Sequence, residues 1–177
     1  MKKFTIKDTF PFSRDEVYAT QRDPLAELSA YLDDVQEIIV ENREEDGDVV
    51  KFVNFWKAAP TEIPKLARPF IKPEMLQWHD YATWDASEYS CAWEMKLGFL
   101  PDAIEARGLN HWKELGEGRT LVVIDGSITI HADRIPGIPR MMAGKASDVI
   151  ESFVVKMIEP NLKKTNLGVT QYLREHA

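Results

Sequence analysis

The residues that commonly carry out chemistry are scattered along this sequence. The four histidines are His79, His111, His131 and His176, and none has a second histidine four residues away. That spacing would place two metal ligands on one face of a helix. The single cysteine, Cys91, has no partner for a disulfide or for a cysteine-rich metal site. We therefore predict no metal site.

Motifs for nucleotide binding and for an activated serine are absent as well. The sequence has no phosphate-binding loop, no dinucleotide fingerprint and no Gly-x-Ser-x-Gly segment. His79 and Asp80 are adjacent in a predicted strand, where neighbouring side chains point to opposite faces. They are therefore not expected to act as a base and its orienting carboxylate, and His79 is interpreted as a surface or rim residue. We predict no catalytic residue and no cofactor.

Aromatic side chains are concentrated in segments that alternate like strands, and these segments include all five tryptophans. In residues 89–97 the alternation predicts an inward face made of Tyr89, Cys91, Trp93, Met95 and Leu97. Such a face either fills a core or lines a ligand cavity, because hydrophobic and aromatic side chains build both.

Asn54 interrupts a second inward face, which also contains Phe52 and Trp56. An inward amide either holds a polar group of a ligand or hydrogen-bonds to the backbone. The strand that contains Trp78 admits two registers. A two- or four-residue loop after this strand turns Trp78 inward, whereas a three-residue loop turns His79 inward. We favour the register with Trp78 inward.

Turn and capping residues predict the order of the elements. Ser13 and Glu16 form a capping box that begins the first helix, and Asp23-Pro24 begins a second. Pro160 predicts a kink or a short break in the last helix, because it removes a backbone donor. Strands are predicted over residues 4–12, 35–44, 49–59, 75–84, 89–97, 103–115 and 119–131, and helices over 13–22, 25–32 and from 138 onward.

The last helix carries an apolar stripe of Met142, Ala146, Val149, Phe153 and Met157. We expect this stripe to face the strands, since an antiparallel sheet with one apolar face needs a cover. The predicted fold class is therefore α+β: a curved, seven-stranded antiparallel sheet, in the order β-α-α-β-β-β-β-β-β-α, wrapped around a C-terminal helix. One helix cannot fill the whole sheet, so a cavity is expected between them.

Length and charge restrict the possible partners. The 177 residues predict one domain spanning residues 1–177. A net charge of −7 argues against nucleic-acid binding, which depends on neutralising phosphates. No secretory signal and no membrane-spanning segment are evident, so a cytoplasmic location is expected.

Residues 60–73 contain four prolines and mix basic with apolar side chains. Such a segment either makes transient contact with an anionic membrane surface or packs on the sheet as a loop.

The order of elements resembles the helix-grip superfamily, which includes START lipid-transfer domains, polyketide cyclases and pollen-allergen-like ligand carriers. Residues 63–68 (IPKLAR), 78–85 (WHDYATWD) and 138–151 (IPRMMAGKASDVIE) are similar to segments of a bacterial branch of this superfamily. The order is also similar to that of PRELI-type phospholipid-transfer proteins. The resemblance implies a hydrophobic cavity that binds a lipid, a sterol, a polyketide or a similar molecule, and it implies no invariant catalytic set.

The leading functional hypothesis is a binding or carrier protein for a hydrophobic, lipid-like small molecule held between the sheet and the last helix. A cyclase- or dehydratase-type enzyme with Asp8, Asn54 or Tyr89 in the same cavity is the second hypothesis. An interaction module without a ligand is the third, and the oligomeric state stays open. The predicted ligand-binding residues are Phe52, Asn54, Trp56, Trp78, Tyr89, Trp93, Met95 and Met142.

Overall fold

The structure is a computed structural model, and it describes residues 1–59, 77–98 and 102–176, with only the backbone of residues 153, 154 and 156–161. The strands are β1 (Lys2–Phe10), β2 (Val35–Asp46), β3 (Val49–Ala58), β4 (Gln77–Asp85), β5 (Ser90–Leu97), β6 (Ile104–Gly116) and β7 (Arg119–Ile130). The helices are α1 (Arg14–Arg22), α2 (Leu25–Leu28) and α3 (Ala143–His176), with short 3-10 turns at Ser29–Tyr31, Ala132–Arg134 and Arg140–Met142.

The seven strands form one sheet in the order β1-β7-β6-β5-β4-β3-β2, and every neighbouring pair is antiparallel. This arrangement follows from a chain of hairpins from β2 to β7, after which β1 pairs with the free edge of β7. The α+β class and the antiparallel order predicted from the sequence are confirmed. The predicted capping box of α1 is also confirmed, because the Ser13 side chain accepts from the Glu16 amide and the Glu16 carboxylate accepts from the Ser13 amide.

The register of β4 decides which aromatic side chains face the helices. Asp85 pairs with Ser90, so four residues form the turn between β4 and β5. Trp78 therefore lies opposite Trp56 of β3 and Leu97 of β5, on the inner face of the sheet. The favoured register, with Trp78 inward, is confirmed.

Helix α3 is attached to the sheet near both of its ends. The Asn166 side chain donates a hydrogen bond to Asp8 of β1 at 2.7 Å. Near the start of α3, the Ser147 hydroxyl accepts one from the Ala132 amide just beyond β7. The helix continues from Ala143 to His176, so the break predicted before Pro160 does not occur.

The apolar stripe predicted for α3 is only partly correct. Ala146 packs against the sheet, but Val149 is 62% exposed. Met142 is 56% exposed and belongs to the 3-10 turn before the helix. Phe153 and Met157 lie among the residues of which only the backbone is described.

A charged residue takes part in the face that α3 turns toward the sheet. Ile150 packs beside Ala146, and Glu151 is only 2% exposed. The Glu151 carboxylate accepts a hydrogen bond from the Ile130 amide at the end of β7. The predicted stripe contains Val149 instead of Ile150 and Glu151. One position turns a helix by about 100°, so the predicted stripe is rotated away from the face that packs on the sheet.

Two cores form between the sheet and the helices. The main core joins α1, the end of α3 and the sheet, and Tyr18 makes edge-to-face contacts in it with Trp84 and Trp112. The second core joins the start of α3 to the ends of β6 and β7 and includes Ile128 and Ile130. Part of the inner face of the sheet belongs to neither of these cores.

Candidate ligand-binding site

The inner face of β3, β4 and β5 ends in four large apolar side chains that are only partly buried: Trp56, Trp78, Met95 and Leu97. We call this set the half-buried wall. The rings of Trp56 and Trp78 stack at 5.8 Å with an angle of 12° between their planes. Among the described residues, none of the four belongs to either core. The wall is therefore apolar surface that faces the helix side without complete cover.

A polar pair lies in the same row of the sheet as Met95, one row closer to the main core than Trp56 and Trp78. Asn54 of β3 is opposite Asp80 of β4, which in turn is opposite Met95 of β5. The Asn54 side-chain amide donates to an Asp80 carboxylate oxygen at 3.2 Å. Asn54 is 1% exposed and Asp80 is partly buried, so the pair joins a fully buried amide to a partly buried carboxyl group.

The environment of Asp80 favours the protonated form of its carboxyl group. Burial raises the pKa of Asp80 to about 6, and the hydrogen bond from Asn54 lowers it by a smaller amount. An ionised carboxylate loses hydration in such a site, whereas the neutral acid loses less. Asp80 therefore titrates close to neutral pH and can act as a hydrogen-bond donor or as an acceptor.

Two buried polar atoms beside this pair have no hydrogen-bond partner among the residues that the structure describes. They are the amide oxygen of Asn54 and the indole nitrogen of Trp56. Native proteins satisfy most buried polar groups, so buried polar atoms without a protein partner mark candidate positions for a ligand group. The unpartnered acceptor belongs to Asn54, which is opposite Asp80, and the unpartnered donor belongs to Trp56 in the next row, opposite Trp78.

Phe52 and Trp93 both face inward, as predicted, but they pack against the protein's own side chains in the main core. Phe52 is 3% exposed and forms part of the main core. The Trp93 ring lies over Gly108, where an added Cβ would come within 2.4 Å of it. The Trp93 indole donates to the Asn110 side chain at 2.9 Å. Trp93 therefore closes the inner end of the site beside the polar pair.

Tyr89 and Met142 do not lie in the elements where the sequence prediction placed them. Tyr89 belongs to the β4–β5 turn with φ +46° rather than to β5, but its ring packs edge-to-face on Tyr18 at the main core, so it is on the inner side as predicted. Its hydroxyl donates to Asp15, and the guanidinium of Arg14 lies 3.7 Å above its ring. Strand β5 begins at Ser90, so its alternation of inward and outward side chains does not include Tyr89. Met142 is exposed because a 3-10 turn precedes α3.

The remaining candidates for chemistry have structural roles. Asp8 faces inward but accepts the hydrogen bond from Asn166. His79 pairs with Glu41 at 3.2 Å on the opposite face of β4 from Asp80. Cys91 is buried in the main core, and burial raises the pKa of its thiol well above the ordinary value. A thiol held in its protonated form is a poor nucleophile.

Two further expectations concern metals and membranes. Within residues 1–59, 77–98 and 102–176 no cluster of three or more histidine, cysteine, aspartate or glutamate side chains could hold a metal ion. The helices in the described part of the chain are too short or too polar to cross a bilayer. The segment 60–73, predicted to contact a membrane surface, lies outside the described residues.

Asp80 is not among the site residues predicted from the sequence. Asp80 and His79 point to opposite faces of β4, so the two residues are not predicted to act as a pair. The register that places Trp78 inward also places Asp80 inward, since the two residues are two positions apart. The favoured register therefore already implied that Asp80 faces inward.

Comparison with known proteins supports the fold assignment. No protein-family model and no curated protein matches the sequence. A crystal structure from Thermus thermophilus matches 99% of this chain and 99% of its own at 17% identity, with a TM-score of 0.68. The Zhui aromatase/cyclase from Streptomyces matches over 98% and 93% of the two chains at 12% identity, also with a TM-score of 0.68. A START superfamily protein from Mycobacterium smegmatis matches over 99% of both chains at 10% identity, with a TM-score of 0.58.

These neighbours define the class of architecture. The protein has the helix-grip fold that START proteins and aromatase/cyclases share, in which an antiparallel sheet encloses a long C-terminal helix. The resemblance drawn from the order of elements is thereby confirmed at the level of the fold.

Proposed function

We propose that this protein binds a hydrophobic, lipid-like small molecule between the half-buried wall and α3. The observation that carries the proposal is the wall itself, whose four large apolar side chains face the helix side but belong to neither core formed by the described residues. Burying such surface is favourable by about 25 cal/mol per Å² of apolar area, so a bound apolar molecule would stabilise the protein.

The known neighbours are consistent with a ligand in this position. One of them is described as an aromatase/cyclase and another as a START superfamily protein. The alternative of an interaction module predicts an interior filled by the protein's own side chains. The partly exposed state of Trp56 and Trp78 is evidence against that alternative.

Native mass spectrometry of the purified protein, followed by extraction and identification of what co-purifies, tests the proposal directly. Calorimetric titration with fatty acids, phospholipids and sterols then measures binding. We expect Trp78→Ala to weaken binding of a recognised ligand by about tenfold, which corresponds to about 1.4 kcal/mol. Leu109→Ser is the control, because Leu109 is 38% exposed on the outer face and should not contact the ligand.

The proposal fails if nothing co-purifies and if none of the three ligand classes binds the wild-type protein. It also fails if Leu109→Ser weakens binding as much as Trp78→Ala does, because the ligand would then not be located at the half-buried wall.

A cyclase- or dehydratase-type reaction in the same site is the second candidate, and Asp80 is the observation that favours it. An acid or base catalyst works best when its pKa is close to the working pH, and the pKa of Asp80 is raised to about 6. Asp8 and Tyr89, which the sequence analysis offered for this role, are engaged with Asn166 and Asp15 instead. Conversion of the extracted ligand by the wild-type protein, but not by Asp80→Asn, would establish the reaction; an unchanged ligand would exclude it.

A further inference from the structure

The free polar atoms at the inner end of the site have complementary chemistry. The amide oxygen of Asn54 accepts hydrogen bonds, and the indole nitrogen of Trp56 donates one. Both atoms are buried and lack a partner among the described residues. A buried polar group without a partner costs free energy, so a ligand group that satisfies both atoms would gain affinity as well as orientation.

Asn54 and Trp56 are neighbours on one face of the sheet. They are two positions apart on the same face of β3, which separates their Cα atoms by about 7 Å. Asp80 is opposite Asn54 and adds a carboxyl oxygen beside the amide. A small polar ligand group bound at this row of the sheet would therefore have Asn54 and Asp80 beside it and Trp56 in the next row.

The charge of the site restricts the ligand further. Among the described inward residues of β3, β4 and β5, none is lysine or arginine. An anionic group would therefore find no opposite charge on these strands, and it would lie next to a carboxyl group. Burying an unpaired charge is far more costly than burying a neutral polar group. The inward residues of these three strands therefore favour a neutral ligand group at this end.

We propose that the site recognises a neutral, largely apolar molecule by a single hydroxyl group, which donates to the amide oxygen of Asn54 and accepts from the indole of Trp56. A hydroxyl is the smallest group that both donates and accepts. An ether or a ketone accepts only and leaves the Asn54 oxygen without a partner. This inference rests on the proposed function, because it requires a ligand against the half-buried wall.

Four probes of one size and shape test the inference: naphthalene, 2-methoxynaphthalene, 2-naphthol and 2-naphthoate. Calorimetric titration at pH 7 gives the affinity of each. We expect 2-naphthol to bind at least tenfold more tightly than naphthalene or 2-methoxynaphthalene, and 2-naphthoate to bind most weakly. The naphthalene ring measures the apolar part of binding, so the ratio between probes isolates the contribution of the hydroxyl group.

Two variants assign the effect to the named atoms. Asn54→Leu removes the acceptor at similar volume, and Trp56→Phe removes the donor but keeps an aromatic ring. Each should bring the affinity for 2-naphthol down to that for naphthalene, while naphthalene itself continues to bind. Asn42→Leu is the matched control, because Asn42 is exposed and bonded to Glu44 on β2. Thermal unfolding confirms that each variant is folded, and Trp56→Phe serves if Asn54→Leu does not fold.

The outcomes separate the inference from the proposed function. Equal affinities for naphthalene and 2-naphthol would overturn recognition of a hydroxyl group and leave apolar binding intact. Tightest binding of 2-naphthoate would overturn the preference for a neutral ligand. If all four probes fail to bind, both the inference and the apolar site on which it rests are wrong.

Discussion

Two carboxyl groups face the inner side of the sheet from its two halves, and their surroundings differ. Glu151 of α3 lies over the end of β7, in the half that the start of the helix covers. Asp80 of β4 lies beside the half-buried wall. Burial alone would raise the pKa of both groups. The pKa of Glu151 is nevertheless lowered, whereas that of Asp80 is raised to about 6.

The difference in pKa comes from the hydrogen bonds and the charges around each carboxylate. Burial raises the pKa of Glu151, but a hydrogen bond from the Ile130 amide and the amino group of Met1, 3.0 Å away, more than offset that effect. Asp80 accepts one hydrogen bond from the neutral amide of Asn54. A charged group that is fully partnered strengthens packing, whereas a weakly partnered one reduces stability unless a ligand changes its environment. The covered half is thus built for stability, and the half-buried wall is the better candidate for binding.

The largest expected difference between the main core and the half-buried wall is in the free energy of unfolding that is lost when an aromatic side chain is removed. Phe10→Ala in the main core should lower the free energy of unfolding by about 3–5 kcal/mol, because Phe10 is 1% exposed and its removal leaves a cavity. Trp78→Ala removes more atoms but should cost less, since Trp78 is only partly buried. Chemical denaturation of both variants without ligand measures the two costs. A larger cost for Trp78→Ala would show that the wall is core after all.

The pH dependence of stability should run in opposite directions for the two carboxyl groups. The pKa of Asp80 is about 6 in the folded protein, whereas the ordinary pKa of an aspartate side chain is 3.8. The unfolded state therefore ionises first, and stability falls as pH rises from about 4 to above 6, by up to about 3 kcal/mol. In Asp80→Asn this loss should be absent, so the variant gains stability relative to wild type over that range. Denaturation at pH 4 and pH 7 gives the difference.

Glu151 provides the opposite case. Because its folded pKa is lowered, its contribution to stability is present above the unfolded pKa and is lost as pH falls through the folded value. Glu151→Gln should therefore be less stable than wild type at pH 7, and the gap should narrow in acid. A gap that widened in acid, measured by the same denaturation series, would contradict the assignment.

Glycines test how closely the inner face is packed behind Trp93. Gly108→Ala should cost about 1–3 kcal/mol, because the added Cβ would lie 2.4 Å from the Trp93 ring and 2.5 Å from the Asp125 carbonyl oxygen. Gly98→Ala is the matched control, since a Cβ there meets nothing within 4 Å. If the two variants unfold at the same denaturant concentration, the ring is free to move and the inner end of the site is larger than described.

The smallest effect is expected at the start of α3. Met142 is 56% exposed, so Met142→Ala should change the free energy of unfolding by less than about 0.5 kcal/mol. Calorimetry with a ligand that binds the wall then decides whether Met142 contributes to binding, as predicted from the sequence. Unchanged affinity would remove Met142 from the site.

The sequence by itself determined the order of elements and much of the inner wall. Alternation on β3 and β5 depends only on the two-residue period of a strand, so Phe52, Asn54, Trp56, Trp93 and Met95 were assigned to the inner face correctly. The capping box and the hairpins are local as well, and they were predicted for the same reason.

Only the tertiary structure decided what those inward residues meet. The four-residue turn before β5 fixed Trp78 inward, carried Asp80 with it, and placed Tyr89 outside the strand. The buried partners of Glu151 come from the ends of distant elements, so its charge gave no local sign that it faces the sheet. Periodicity specifies a face, whereas cover, partners and pKa depend on residues far apart in the chain, and their positions are set only when the sheet and α3 pack together.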